Sequence, residues 1–302
     1  MSNRLAVNIA GVSLTNPIVT ASGTFNSGKE YSRFVDLNQI GAITVKGISH
    51  APWEGNPSPR TAETYGGMLN AVGLQNPGAA AFIKEDLPFM RQFSSKIIVN
   101  INGKTLEEYI AVAQDFANVN IDLIELNVSC PNVKEGGMAF GTDPQQIRAV
   151  TAAVKQHITA PLIVKLSPNV TKITDMAAAA EEGGADAISL INTIQGMAID
   201  IHKRQPILGF KYGGLSGPAI KPVALRMVHQ VAQVVQVPII GMGGITTGED
   251  AIEFIMAGAT AVGVGTANFI NPRATMCILK GINAFMDQYN IQHISDIRGV
   301  VA

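Results

Sequence analysis

Residues 96–127 read KIIVNINGKTLEEYIAVAQDFANVNIDLIELN. Lys96-Ile-Ile-Val-Asn-Ile101 is a short β-rich run, and Leu123-Ile-Glu-Leu-Asn127 is a second. Thr105–Asn118, between them, carries a helical pattern. Neither run alternates strictly between apolar and polar residues. Near-continuous apolar runs are what parallel strands buried on both faces require. The stretch therefore reads as strand, helix, strand.

The same unit recurs outward in both directions. Pro17-Ile-Val-Thr-Ala21 and Ala42-Ile-Thr-Val-Lys46 precede it. Leu162-Ile-Val-Lys-Leu166, Ala187-Ile-Ser-Leu-Ile191, Pro238-Ile-Ile-Gly241 and Ala261-Val-Gly-Val-Gly265 follow it. Further helical patterns fall at Pro144–His157, Lys172–Gly183, Pro222–Gln236 and Gly248–Gly258. Eight such runs predict an α/β fold, a closed (β/α)₈ TIM barrel with residues 1–302 as a single domain. A doubly wound sheet is the alternative. Leu5–Leu14, with Asn8 and Gly11 inside it, is expected to form a hairpin closing the barrel floor.

Composition narrows the function. The chain has 302 residues, 47% apolar and only 15% charged, with a net charge of -1. Typical soluble domains carry about 25% charged residues, so another chain is expected to cover part of this surface. The charge balance gives no footprint for nucleic acid or an anionic membrane. The opening MSNRLAVNIAG lacks an apolar signal region, and a cytoplasmic location is expected. Phe254 to Pro272 contains no charged residue, but Gly258, Gly263 and Gly265 break it into a helix end plus a strand. Cys130 and Cys277 are the two cysteines, too few for a disulfide framework or a four-cysteine iron–sulfur site. The five histidines are scattered without metal-ligand spacing, so no metal site is expected.

Barrel enzymes place their chemistry at the carboxyl ends of the strands. Polar and glycine residues gather there: Ser22, Lys46 with Gly47, Asn100 with Asn102, Asn127, Lys165, Asn192 with Thr193, Gly243 with Gly244, and Gly265 with Thr266. Cys130 follows the fourth strand in Asn127-Val-Ser-Cys-Pro-Asn132, where a thiol is placed to act as nucleophile or general base. The segment 131–142, with Gly136, Gly137 and Gly141, is expected to act as a lid.

Gly241-Met-Gly-Gly-Ile-Thr-Thr-Gly248 and Gly263-Val-Gly-Thr266 lie after strands seven and eight. Glycine amides and the next helix N-terminus suit a phosphate, a recurring barrel site. No dinucleotide fingerprint is present, so a mononucleotide such as FMN fits better. Lys46 and Lys165 are ammonium groups on otherwise apolar strands. Each needs an anionic ligand or an acidic partner, and Glu125 is a candidate partner for either. Asn70-Ala-Val-Gly-Leu74, after Gly66-Gly67, reads as a loop of backbone and amide donors. With Asn127, Asn192 and Thr193 it suits a small flat amide-bearing ring whose carboxylate a lysine holds.

Three stretches carry a resemblance: Asn127-Val-Ser-Cys-Pro-Asn-Val133, Asn70-Ala-Val-Gly-Leu-Gln-Asn-Pro77 and Ile191-Asn-Thr193. The chain resembles the class 1 dihydroorotate dehydrogenases nearly end to end. Its continuation Pro131-Asn-Val-Lys-Glu-Gly-Gly137 looks like the NAD-linked class 1B rather than the fumarate-linked class 1A. The resemblance implies oxidation of dihydroorotate to orotate in pyrimidine synthesis. Cys130 would take the C5 proton as general base, and a hydride would pass from C6 to FMN. It implies FMN contacts from Ser22, Lys46, Gly47, Asn100, Asn127, Lys165, Ile191, Gly217, Gly243, Gly244, Gly265 and Thr266. It implies substrate contacts from Lys46, Asn70, Ala71, Val72, Gly73, Leu74, Asn127, Asn192 and Thr193. A partner subunit carrying FAD and a [2Fe–2S] cluster would pass electrons to NAD, around a homodimer core of a heterotetramer. The alternatives are a class 1A enzyme, another FMN-dependent pyrimidine oxidoreductase, or a non-catalytic phosphate-binding barrel.

Overall fold

The computed structural model describes residues 4–129 and 140–301. Eight parallel strands close a barrel in sequential order, which excludes the doubly wound sheet. They are β1 Ile18–Thr20, β2 Ala42–Thr44, β3 Lys96–Ile101, β4 Leu123–Asn127, β5 Leu162–Lys165, β6 Ala187–Leu190, β7 Ile239–Met242 and β8 Ala261–Val264. β4, β5, β6, β7 and β8 are buried at every position, which is why the sequence shows runs and not alternation.

The helices predicted between the strands all form, each trimmed by one to four residues at its C-terminal end relative to the pattern. They include α1 Leu106–Phe116, α2 Pro144–Lys155, α3 Ile173–Glu182, α4 Lys221–Ala232 and α5 Gly248–Met256. In α1, Thr105 caps the start by accepting from the Glu108 N–H, and Tyr109, Val112, Ala113 and Phe116 form the buried stripe. Asp143 caps α2 with Pro144 at its first turn. The apolar stretch after Phe254 is the end of α5 followed by β8, as expected. Among the described residues no helix is long and apolar enough to cross a membrane.

The core has two principal parts. Outward strand residues such as Ile43, Val99, Ile124, Val164 and Ile188 pack under the helices. Inward residues Val19, Ala42, Ile98, Leu123, Ile163, Ala187, Ile240 and Ala261 fill the lower barrel. Ile9 and Leu14 join that inner cluster from an antiparallel hairpin of Val7–Ile9 and Val12–Leu14. The hairpin is the expected floor.

Elements beyond the eight units also form, among them the helix Ala274–Gln288 and a sheet outside the barrel. Excursions after β2 and β6 pair into an antiparallel sheet of Ile194–Met197, Tyr212–Ser216, Gly67–Asn70 and Thr61–Thr64. Asn70 therefore ends a strand and does not open a loop; only Ala71 to Leu74 is irregular. A third small cluster of Leu69, Ala71 and Leu208 stabilises this sheet.

Candidate active site

Side chains two apart on a strand share a face. Moving up from the apolar floor, the next inward positions are Thr44, Asn100, Glu125, Lys165 and Ser189, all buried. Two residues beyond Thr44, Glu125, Ser189 and Gly263 come Lys46, Asn127, Ile191 and Gly265. The strand parity that fills the barrel with apolar side chains below thus turns a set of candidate residues into its mouth.

Glu125 and Lys165 form an ion pair at 3.9 Å, with side chains 2% and 5% exposed. Lys165 also donates to Ser22 Oγ at 3.1 Å. Glu125 is therefore the partner of Lys165, and Lys46 has no ion-pair or hydrogen-bond partner among the described residues. Burial, and secondarily the Lys165 charge, push the Lys46 ammonium down to about 8. Two neighbouring cations against one carboxylate leave the mouth favourable to an anion.

A chain of asparagine amides ends on the same carboxylate. Asn192 Nδ2 donates to Asn127 Oδ1 at 3.3 Å, and Asn127 Nδ2 to Asn102 Oδ1 at 2.8 Å. Asn102 Nδ2 donates to Asn100 Oδ1 at 3.4 Å, and Asn100 Nδ2 donates to Glu125 Oε2. Ser189 Oγ closes the other carboxylate oxygen at 2.7 Å. The sequence reading placed Asn102 at a strand end without a role and missed Ser189. Strand parity was the signal that pointed to Ser189, two residues before Ile191.

The glycine loops supply a phosphate-sized cradle. The amide N–H groups of Gly243, Gly244, Gly265 and Thr266 have no hydrogen-bond acceptor among the described residues. Gly243 has φ +132° and Gly244 φ +79°, conformations that favour glycine. A Cβ on Gly265 would meet nothing closer than Ala21 Cβ at 3.4 Å. The protein's own packing would accept a methyl group there, so it does not account for the glycine; four free amide donors on the two loops suit a phosphate ester such as that of FMN. Gly217 stands beside the cradle, its carbonyl 2.8 Å from where a Gly244 Cβ would lie. Thr266 Oγ1 donates to Ser216 Oγ at 2.8 Å.

The helix after strand seven is capped by its own residues. Thr247 and Asp250 form a capping box that occupies the N-terminus of α5. Asp250 Oδ2 accepts from the Thr246 and Thr247 N–H groups at 2.9 Å each. Lys221 Nζ lies 2.6 Å from the other oxygen. Burial alone would push the Asp250 carboxyl up, but Lys221 and these donors together hold it at about 2.

Beside the unexpected sheet, the 71–74 turn presents donors. Protein groups take the carbonyls of Ala71, Val72 and Leu74. The N–H groups of Val72, Gly73 and Leu74 have no acceptor among the described residues. Leu74 holds φ +56°, a conformation that costs a leucine on the order of 1–3 kcal/mol. Thr193 packs against Gly214 of the sheet, and its N–H donates to Asn192 Oδ1 at 2.7 Å. Asn169, absent from the sequence reading, holds this segment by donating to the Thr193 carbonyl at 3.0 Å.

Cys130 and most of the expected lid lie outside the described residues. Ser129, the residue before Cys130, donates from its N–H to Asn127 Oδ1 at 3.2 Å. The described end of that segment is packed. Phe140 is buried edge-on against Tyr109 at 5.5 Å, and Gly141 packs on the Val128 carbonyl.

A closed barrel whose mouth gathers free amides, two ammonium groups and an asparagine chain has the form of an enzyme site for a phosphate-bearing, anionic ligand set. The sequence profile of dihydroorotate dehydrogenase matches residues 4–286, and the chain belongs to that family. It is 66% identical over 295 residues to the catalytic subunit of dihydroorotate dehydrogenase B (NAD(+)) of Alkaliphilus oremlandii. Identity to the proteins of the same name is 65% in Alkaliphilus metalliredigens and 61% in Lachnoclostridium phytofermentans. Each alignment covers 98% of this chain and 98% of the relative.

Proposed function

We propose that this chain is the FMN-binding catalytic subunit of an NAD-linked dihydroorotate dehydrogenase, oxidising (S)-dihydroorotate to orotate in pyrimidine synthesis. The observation that carries the reading is the mouth itself: four free amides at Gly243, Gly244, Gly265 and Thr266, on the same barrel end as the neighbouring Lys46 and Lys165 ammonium groups. Bound FMN would supply a two-electron acceptor. Gly243, Gly244, Gly265 and Thr266 would hold its phosphate, with Gly217 at their side. Ser22, Gly47, Asn100, Asn127, Lys165 and Ile191 would line the rest of that site. Lys46 would hold the substrate carboxylate, and Asn70 to Leu74, Asn127, Asn192 and Thr193 would present donors to its ring. Cys130 would remove the C5 proton as general base.

The acceptor side of the reaction calls for a second protein. The sequence has no dinucleotide fingerprint and only Cys130 and Cys277 as cysteines. An iron–sulfur cluster needs about four ligands, usually cysteines. FAD and a [2Fe–2S] cluster therefore belong to a partner subunit, assembled on a homodimer of this chain as a heterotetramer in the cytoplasm. The test is turnover by the purified chain. It should be yellow, bleach on adding dihydroorotate, and reduce NAD only when the partner subunit is added. A colourless chain that takes up no FMN refutes the reading. Efficient NAD reduction by the chain alone refutes the two-subunit part, and fumarate reduction favours the fumarate-linked type.

A further inference from the structure

Glu125 is a fully buried carboxylate that no step of the proposed reaction uses. It stands on β4 two residues before Asn127 and beneath the mouth. Asn100, Asn102, Ser189 and Lys165 around it are all buried. A carboxylate only accepts hydrogen bonds, so Asn100 must turn its NH₂ toward it. That choice leaves the Asn100 oxygen facing Asn102, which must answer with its own NH₂. The same constraint passes to Asn127, whose NH₂ meets the Asn102 oxygen, and to Asn192, whose NH₂ meets the Asn127 oxygen. One acceptor-only group thus sets the sense of Asn100 and Asn102 from below, while the Ser129 and Thr193 N–H groups hold Asn127 and Asn192 in the same sense from above.

An asparagine NH₂ has two hydrogens, and the chain uses one from each. The second hydrogens of Asn127 and Asn192 are left for a ligand. A neutral amide at position 125 has no such preference, since it presents donors as readily as acceptors. The carboxylate has a second effect through Lys165, 3.9 Å away. It offsets part of the positive charge that Lys165 directs at the cofactor site.

We propose that Glu125 is a positioning residue that, through Asn100 and Asn102, keeps Asn127 seated as a donor toward the substrate ring and sets the charge Lys165 presents to the flavin. This rests on the FMN and orotate reading above. Each arm makes its own demand. Loss of the carboxylate should weaken orotate binding, because Asn100 and Asn102 can then turn and set the Asn102 NH₂ against the NH₂ of Asn127, displacing it. It should also make the flavin easier to reduce, because the Lys165 charge is no longer offset.

The experiment is Glu125→Gln in the holoenzyme with its partner subunit. Orotate is titrated against the flavin spectrum, and the flavin midpoint potential is measured by spectroelectrochemistry. The expected result is an orotate dissociation constant raised at least tenfold. The reduced-to-oxidised flavin ratio at fixed potential should also rise at least tenfold, which for a two-electron couple is about 30 mV. A protein in which either quantity stays within twofold of wild type overturns the proposal. Asn102→Ala decides the matter if the first variant fails to fold, since it cuts the amide chain and keeps the Glu125–Lys165 pair. It should lose orotate affinity at least tenfold with an unchanged potential; wild-type affinity there overturns the amide chain. If wild type itself binds neither FMN nor orotate, the underlying reading has failed and not this one.

Discussion

Lys46→Met should stabilise the flavin-free protein while weakening its ligands. An isolated lysine ionises near 10.5, and burial with the neighbouring Lys165 charge brings Lys46 to about 8. At about 1.36 kcal/mol per pH unit, the folded state carries a penalty of about 3 kcal/mol for keeping this ammonium charged. Between pH 8 and 10.5 the unfolded chain holds the proton and the folded chain does not, so stability rises with pH across that window. Below pH 8 both states are protonated and the full penalty is present. Methionine keeps the apolar stem and removes the charge. Urea denaturation of flavin-stripped protein should therefore find the variant more stable by about 2–3 kcal/mol near pH 7, with the gap closing toward pH 10. An anionic substrate reverses the balance, because it gives the ammonium a partner and raises its pKa. Orotate binding to wild-type holoenzyme near pH 8.5 should take up protons, read by calorimetry in buffers of different ionisation enthalpy, and the variant should take up fewer. A variant no more stable than wild type near pH 7, with the same proton uptake, would show that Lys46 is neither strained nor aimed at the ligand.

Cys130→Ser should retain FMN but lose about 10²–10⁴-fold in turnover near pH 7 and recover part of it at higher pH, since a hydroxyl is the weaker base; a wild-type rate near pH 7 removes Cys130 as the base. Lys165→Ala should lower the flavin reduction potential, because a cation near the reduced ring favours it; an unchanged potential makes Lys165 structural. Gly265→Ala should fold with stability within about 1 kcal/mol of wild type, since its Cβ meets only ordinary contacts, yet release FMN at least tenfold more readily; equilibrium dialysis with unchanged affinity counts against the cradle. Asp250→Asn should cost about 1–3 kcal/mol in thermal or urea unfolding near pH 7. The wild-type contribution is present above the ordinary carboxylate range and fades as pH falls toward about 2, so the two proteins should converge in acid.

The barrel was legible because burial on both faces leaves an unmistakable mark. A strand such as Leu162–Lys165, apolar until its last residue, has few other readings in a chain that repeats it eight times. The polar residues at those strand ends were legible for the same reason: Lys165, Asn127 and Asn192 end runs that are mostly apolar, with only Glu125 and Ser189 interrupting them. Pairings across the barrel were not. Whether Glu125 meets Lys46 or Lys165 depends on the register between strands, and the register pairs Asn127 with Lys165. No single strand encodes that. The sheet escaped because its strands are short and glycine-rich, as in Tyr212-Gly-Gly-Leu-Ser216, and the pairing that joins its two halves links Gly214 to Asn70, more than a hundred residues apart. The capping box at α5 was different: Thr247 and Asp250 stand at cap and third position, a readable spacing that the phosphate reading of the same loop obscured.

Gly47 and Gly265 show where sequence reading stops and structure begins. Both follow a barrel strand, and both read as places where a cofactor comes close. At Gly47 a Cβ would lie 1.9 Å from Asn102 Nδ2 and 2.8 Å from Asn100 Oδ1. That glycine is required by the amide chain packed against it, whether or not a ligand is bound. At Gly265 the nearest atom to a Cβ is 3.4 Å away, and its φ is not one that demands glycine. Nothing in the described chain explains the missing side chain there. A glycine that the protein's own packing does not need, ringed by amides with no acceptor, is the stronger sign of a ligand. The two positions look alike as letters and differ in cause, and only the second argues for the cofactor.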